Sequence, residues 1–145
     1  MQPTKIYLAD DDSDDREFFS DALSELPIQI SLKTFENGVD LMADLFSDEA
    51  LPQTIFLDLK MPMMNGFECL QDIKSEKKFE GIIIIIYSTT FDTWEIEKLK
   101  NDGANGYLQK PNSFHQLKTV LHKCLDYANG NHNKEDEVSP FLIVE

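Results

Sequence analysis

Apolar positions along the chain fall into two alternating rhythms. Short runs of four to six mostly apolar residues are separated by stretches in which apolar side chains recur every three or four positions, the periods of strand and helix in turn. The first run, Lys5 to Ala9, is strand-like and ends in a series of aspartates. A helix follows from about Ser13, with Phe18, Phe19, Ala22, Leu23 and Leu26 on one face and Pro27 as its stop. Ile28, Ile30 and Leu32 alternate and predict a second strand, after which Asn37-Gly38 turns the chain into a helix carrying Leu41, Met42, Leu45 and Phe46. Thr54 to Leu57 is a third strand, and it stops at Asp58. Pro62 and Asn65-Gly66 make Lys60 to Gly66 a loop, and a helix runs from Phe67 through Leu70 and Ile73. Ile82 to Tyr87 is apolar and mostly β-branched, which suits a strand buried on both faces. Trp94, Ile96 and Leu99 mark a fourth helix closing at Gly103, and Gly106 to Gln109 a fifth strand. Ser113 caps a last helix with Phe114, Leu117, Leu121, Cys124 and Leu125 down one side.

Five strand–helix units in succession predict an α/β fold: a parallel sheet with helices on both faces, connected by right-handed crossovers. The folded domain is expected to span residues 1–128. Beyond Ala128 the composition changes, because Asn129 to Glu137 is polar and acidic and cannot support a core. Residues 129–145 are therefore expected to form a mobile acidic tail. Its apolar end, Phe141 to Val144, is expected either to fray or to dock on a partner or a second copy.

At 145 residues the chain has the size of one domain and can bury a core without staples. Its longest apolar run, Ile82 to Tyr87, is far too short to cross a bilayer. The N-terminus lacks the apolar stretch of a signal peptide, so a cytoplasmic location and no membrane insertion are expected. Cys69 and Cys124 sit in apolar-periodic segments and read as buried thiols. Charge removes another class of function. With 27 acids against 13 bases the net charge is −14, which repels nucleic acid and anionic lipid.

In a doubly wound sheet, ligands collect at the carboxyl ends of the strands. Those ends carry Asp10 and Asp11, then Asp58, Ser88 and Lys110. Clustered carboxylates raise one another's pKa unless a cation intervenes. Oxygen ligands favour Mg²⁺ over zinc, for which no His/Cys cluster exists. A lysine and a hydroxyl beside the acids form an anion site that suits a phosphoryl group carried on a carboxylate.

Asp10-Asp11 after the first strand, Asp58-Leu-Lys-Met-Pro62 with Gly66, Ser88 after the fourth strand and Lys110-Pro111 after the fifth occur in this order and on these strand ends. The arrangement resembles the CheY-like receiver domain of two-component response regulators, over residues 5 to about 128. The resemblance implies a flavodoxin-like, doubly wound five-stranded parallel sheet with strand order 2-1-3-4-5. It implies that Asp58 accepts a phosphoryl group from the phosphohistidine of a histidine kinase or histidine phosphotransfer protein. Asp10, Asp11, Asp58 and the backbone carbonyl of Lys60 would hold Mg²⁺, while Ser88 and Lys110 would bond the phosphoryl oxygens. Tyr107 would be a switch aromatic that turns inward as Ser88 moves, and the peptide bond before Pro111 is often cis in this family. The output would then be a change in protein–protein contacts or onward phosphoryl relay to an unnamed target. A homodimer through the face of the fourth helix, fifth strand and fifth helix is a further expectation.

Some residues have plainer readings. Asp12, Asp14 and Asp15 suit the cap and first turn of the first helix. A calcium loop beginning at Asp10 fails because Asp15 stands where glycine is required. His115 and His122 read as solvated or half-buried, and Trp94 as either partly buried or an interface anchor. Two departures, Asp12 after the acid pair and Gly81 before the fourth strand, leave the pattern intact. Lys60 and Thr90 occupy positions that tune acyl-phosphate lifetime in the family. A phosphoaspartyl-type phosphohydrolase is the competing function, although its two acids bracketing one residue fit Asp10-Asp11-Asp12-Ser13 only loosely. A flavodoxin-like cofactor binder would need a phosphate-cradling loop where this chain has aspartates.

Overall fold

The computed structural model describes residues 3–47, 49–130 and 141–144. Strands β1 (Thr4–Ala9), β2 (Ile30–Phe35), β3 (Thr54–Leu57), β4 (Ile83–Ser88) and β5 (Gly106–Gln109) alternate with helices α1 (Ser13–Ser24), α2 (Gly38–Leu45), α3 (Gly66–Ser75), α4 (Thr93–Asn101) and α5 (Phe114–Ala128). A 3₁₀ turn at Lys77–Phe79 precedes β4, and a sixth strand, β6 (Leu142–Val144), ends the described chain. All strand pairs are parallel, in the order β2-β1-β3-β4-β5-β6. The expected 2-1-3-4-5 order is present, with one strand added at its β5 edge.

Helix starts follow side-chain capping. Asp12, Asn37, Asp92 and Ser113 each accept a hydrogen bond from a backbone N–H in the first turn of α1, α2, α4 or α5. Asn65 and Glu68 close a reciprocal capping box on α3. Gly103 ends the α4 connection with φ 105°, a left-handed conformation that glycine adopts without the penalty of a Cβ.

Two cores sandwich the sheet. On one face α1 and α5 cover Ile6, Leu8, Phe56, Ile85 and Tyr87, with Phe19 edge-on to Phe56 and Tyr87 at 5.0 and 5.4 Å. On the other, α2, α3 and α4 cover Tyr7, Ile55, Leu57, Ile84, Ile86 and Tyr107. Cys69 and Cys124 are buried free thiols, as expected. Among the described residues no helix is long and apolar enough to cross a membrane.

The C-terminal expectation needs correction. Phe141 packs against the α2–α4 core with Lys100 Nζ 6.0 Å from its ring centroid. Beyond it, β6 pairs along β5, with Gly106, Tyr107 and Leu108 opposite Leu142, Ile143 and Val144. The segment thus docks on its own chain rather than on a partner. The physical reason is that β5, as a sheet edge, offers unpaired N–H and C=O groups to any short extended run that reaches it. The expected mobility of the acidic stretch concerns residues 131–140, which lie outside the described residues. Trp94 is 73% exposed, so the half-buried alternative for it is set aside. His115 and His122 are exposed.

Candidate functional site

Sheet register brings the site residues together. Ala9 lies opposite Leu57, so Asp10 and Asp58 leave neighbouring strands side by side, and the Asp58 N–H bonds Ala9 O at 2.9 Å. Ser88 lies opposite Gln109, and the Lys110 N–H bonds Ser88 O at 2.7 Å. The β1–α1 turn is fixed twice: the Asp12 N–H donates to Asp10 Oδ1 at 3.0 Å, and Arg16 Nη1 donates to Asp10 O at 2.7 Å. In the β3–α3 loop, Gly66 N–H reaches Leu59 O at 3.0 Å. A Cβ on Gly66 would overlap Asp58 O and lie 2.9 Å from Leu59 Cα, so the close approach requires glycine.

Asp10 is fully buried, Asp58 nearly so, and Asp11 is exposed at the mouth. Carboxylate oxygens of these three acids lie within 4.8 Å of one another, a grouping able to hold a metal ion. Lys110 Nζ lies 2.8 Å from Asp10 Oδ2, 2.8 Å from Asp15 Oδ2 and 3.5 Å from Asp58 Oδ2. It also stands 5.1 Å from the centre of the Tyr87 ring. Asp10 Oδ2 makes no well-directed hydrogen bond, and the nearby ammonium is what compensates its charge. Asp58 Oδ1 accepts from the Leu59 N–H at 2.8 Å.

The Asp58 carboxyl is raised to about 6: burial is the largest cause and Asp10 and Asp11 add to it, while Lys110 and the Leu59 N–H pull it down. For Lys110, burial opposes the charge. Its close ion pair with Asp10, its hydrogen bond to Asp15 and the attraction of Asp58 outweigh that, and its pKa is raised. The two shifts are compatible, because Lys110 serves three carboxylates while Asp58 receives only its most distant contact.

Lys60 lines an open pocket of about 490 Å³ together with Asp11, Pro62 and Asn65. The Ser88 hydroxyl lies 3.2 Å from Thr90 Oγ1 and accepts from the Thr90 N–H at 3.3 Å. Tyr107 is fully buried, and its hydroxyl donates to Thr90 O at 2.7 Å. The ring thus lies inward, edge-on to Phe91 with centroids 6.1 Å apart. The Lys110–Pro111 bond is trans, unlike the cis form the resemblance allowed, and trans is the isomer X–Pro bonds favour intrinsically.

The family model for the response regulator receiver domain matches residues 6–122. The chain belongs to the receiver domain family. Among relatives, it is 30% identical over 126 residues to a chemotaxis protein CheY homolog of Campylobacter jejuni, covering 87% of this chain and 95% of the relative. The phosphorylated cyanobacterial phytochrome response regulator RcpA superposes with a TM-score of 0.81 at 24% identity, covering 91% of this chain and 98% of the other. The manganese-bound form of the response regulator Rcp1 gives 0.76 at 23% identity, covering 86% and 93%. This receiver is a two-component signalling phosphoacceptor, and the phosphohydrolase alternative is not favoured.

Asp10, Asp11, Asp58 and Lys110 come together at adjacent strand ends, while Ser88 ends β4 with its hydroxyl turned to Thr90. Sequence reasoning missed the contact of Asp15 with Lys110, the tether from Arg16 to Asp10, and the bond between Tyr107 and the Thr90 carbonyl.

Proposed function

We propose that Asp58 is the phosphoacceptor and that its donor is the phosphohistidine of a histidine kinase or phosphotransfer protein. The observation that carries this reading is the grouping of Asp58 with Asp10, Asp11 and Lys110 at adjacent strand ends. Asp58 attacks as the carboxylate: an Oδ–P bond forms, the P–N bond breaks, and its electron pair stays on the imidazole nitrogen. Charge then builds on the phosphoryl oxygens, where Lys110 is within reach and Ser88 stands at the end of the neighbouring strand. The Leu59 N–H holds the plane of the Asp58 carboxylate during the attack.

The donor set suits Mg²⁺: hard oxygens only, one of them at an exposed mouth with access for water. Asp10, Asp11, Asp58 and the Lys60 carbonyl would hold it, and when bound it offsets the charge of the acids and of the incoming phosphoryl group. Output passes through a change in the face of α4, β5 and α5, with Ser88 as the moving part and the inward, Thr90-bonded Tyr107 ring held in place by its movement. That face now includes β6 along the β5 edge.

Intact mass after incubation with Mg²⁺ and a small acyl phosphate tests the assignment. One added phosphoryl group is expected on the native chain and none on Asp58→Asn. Undiminished phosphorylation of Asp58→Asn would sink it.

A further inference from the structure

Asp15 has two features that its place in the first turn of α1 does not explain together. Like Asp14, it donates its backbone N–H to the Asp12 cap. Unlike Asp14, it sends its carboxylate across the fold to Lys110 Nζ, 95 residues away in sequence, at 2.8 Å. Lys110 thereby sits between Asp10 and Asp15 and beyond good hydrogen-bonding distance of Asp58 at 3.5 Å.

We propose that Asp15 is a positioning residue that holds the Lys110 ammonium back from Asp58 and competes with the phosphoryl group for it. This rests on the reading of Asp58 as the phosphoacceptor. A phosphoryl group on Asp58 presents oxygens of higher charge than the carboxylate, and to close the 3.5 Å gap toward them the Lys110 ammonium must shift, which stretches one of its two 2.8 Å contacts. The contact to Asp10 is the harder one to give up. That side chain is fully buried, and losing Lys110 strips its Oδ2 of compensating charge. Asp15 is different. Its side chain is 36% exposed, so water replaces the ammonium at little cost. The releasable partner is therefore Asp15. While Asp58 is a plain carboxylate, Asp15 keeps Lys110 turned aside. Once the phosphoryl group is on, it lets go. Asp15 thus opposes the phosphorylated state and sets how strongly the receiver holds its phosphoryl group.

Beryllofluoride, a phosphoryl mimic, titrated at saturating Mg²⁺ and followed by backbone amide shifts of Leu59 and Lys110, tests this directly. In Asp15→Asn the half-saturating concentration should fall about two- to fivefold, the range of a half-exposed ion pair. Asp14→Asn removes an equal charge one residue away without touching Lys110, and should leave the titration unchanged. Tighter binding is also something mere loss of structure does not produce. A thermal melt checks the fold of each variant, and Asp15→Ser carries the same expectation should Asp15→Asn not melt cooperatively. Unchanged or weaker binding in the Asp15 variants would overturn the proposal, as would equal tightening in Asp14→Asn, which would assign the effect to overall charge. Failure of the native chain to bind beryllofluoride, or undiminished binding by Asp58→Asn, would instead overturn Asp58 as the acceptor.

Discussion

Asp58 is held in a conflict between burial and charge. Its pKa, lifted to about 6 mainly by burial, lies above the free value of 3.8, so ionising it costs the folded state more than the unfolded one. That cost is fully present above about pH 6 and gone below the free value. In metal-free protein with chelator present, Asp58→Asn should be more stable than the native chain by on the order of 2 kcal/mol at pH 8. About half of that difference should remain at pH 5, because the native carboxyl is by then largely protonated. Urea unfolding at the two pH values measures both, and a pH-independent difference would refute the account. Gly66 bears on the same residue through the backbone. Gly66→Ala drives a methyl into Asp58 O and Leu59 Cα, and should destabilise by about 2 kcal/mol or more while slowing phosphorylation. At this scale the site was largely legible, since Asp10, Asp11, Asp58, Ser88 and Lys110 each follow or end a strand that the hydrophobic pattern marks. Asp15 was not. Its helix-cap role already accounts for it locally, and its partner is set by tertiary packing that no spacing rule reaches.

The elements follow the sequence wherever a period is sustained. β3 and β5 match the run of residues that predicts them, and α5 begins after the expected Ser113 cap. Boundaries slip where turn chemistry competes, as at β2, which starts at Ile30 because Pro27 and the turn around Ile28 delay pairing. The 3₁₀ turn at Lys77–Phe79 is too short to carry a period of its own. β6 escaped prediction for a related reason: a brief apolar run after an acidic stretch reads equally as a frayed end, and only the uncovered β5 edge gives it a place. Its removal is informative because the site residues lie on β1, β3, β4 and β5 and in the loops after them. Deleting residues 131–145 should leave phosphorylation of Asp58 unchanged while amide exchange along β5 speeds up. Loss of phosphorylation on deletion would mean that β6 supports the site and not just the edge.

For the molecule as a whole, the net charge of −14 is uneven in its consequences. Acids spread over the surface are screened by salt and water, but Asp10 and Asp58 are buried beside Asp11 with Lys110 as their near cation. The fold therefore carries its electrostatic strain at one end of the sheet, where a divalent cation can relieve it. Because such an ion binds the folded cluster and not the dispersed carboxylates of the unfolded chain, Mg²⁺ should raise the melting temperature by mass action, by about 2.7 kcal/mol in stability at a hundred times its dissociation constant. Asp11→Ala separates this from general screening. Removing that carboxylate lessens repulsion at the mouth, so the metal-free variant should melt no lower than the native chain. It also removes the most exposed of the three ligands, so its melting temperature should respond far less to Mg²⁺. Sodium chloride at matched ionic strength provides the comparison, since screening alone would act on both proteins alike. An equal Mg²⁺-dependent rise in Asp11→Ala and the native chain would show that the ion sits elsewhere, and that the acid cluster is relieved by Lys110 alone.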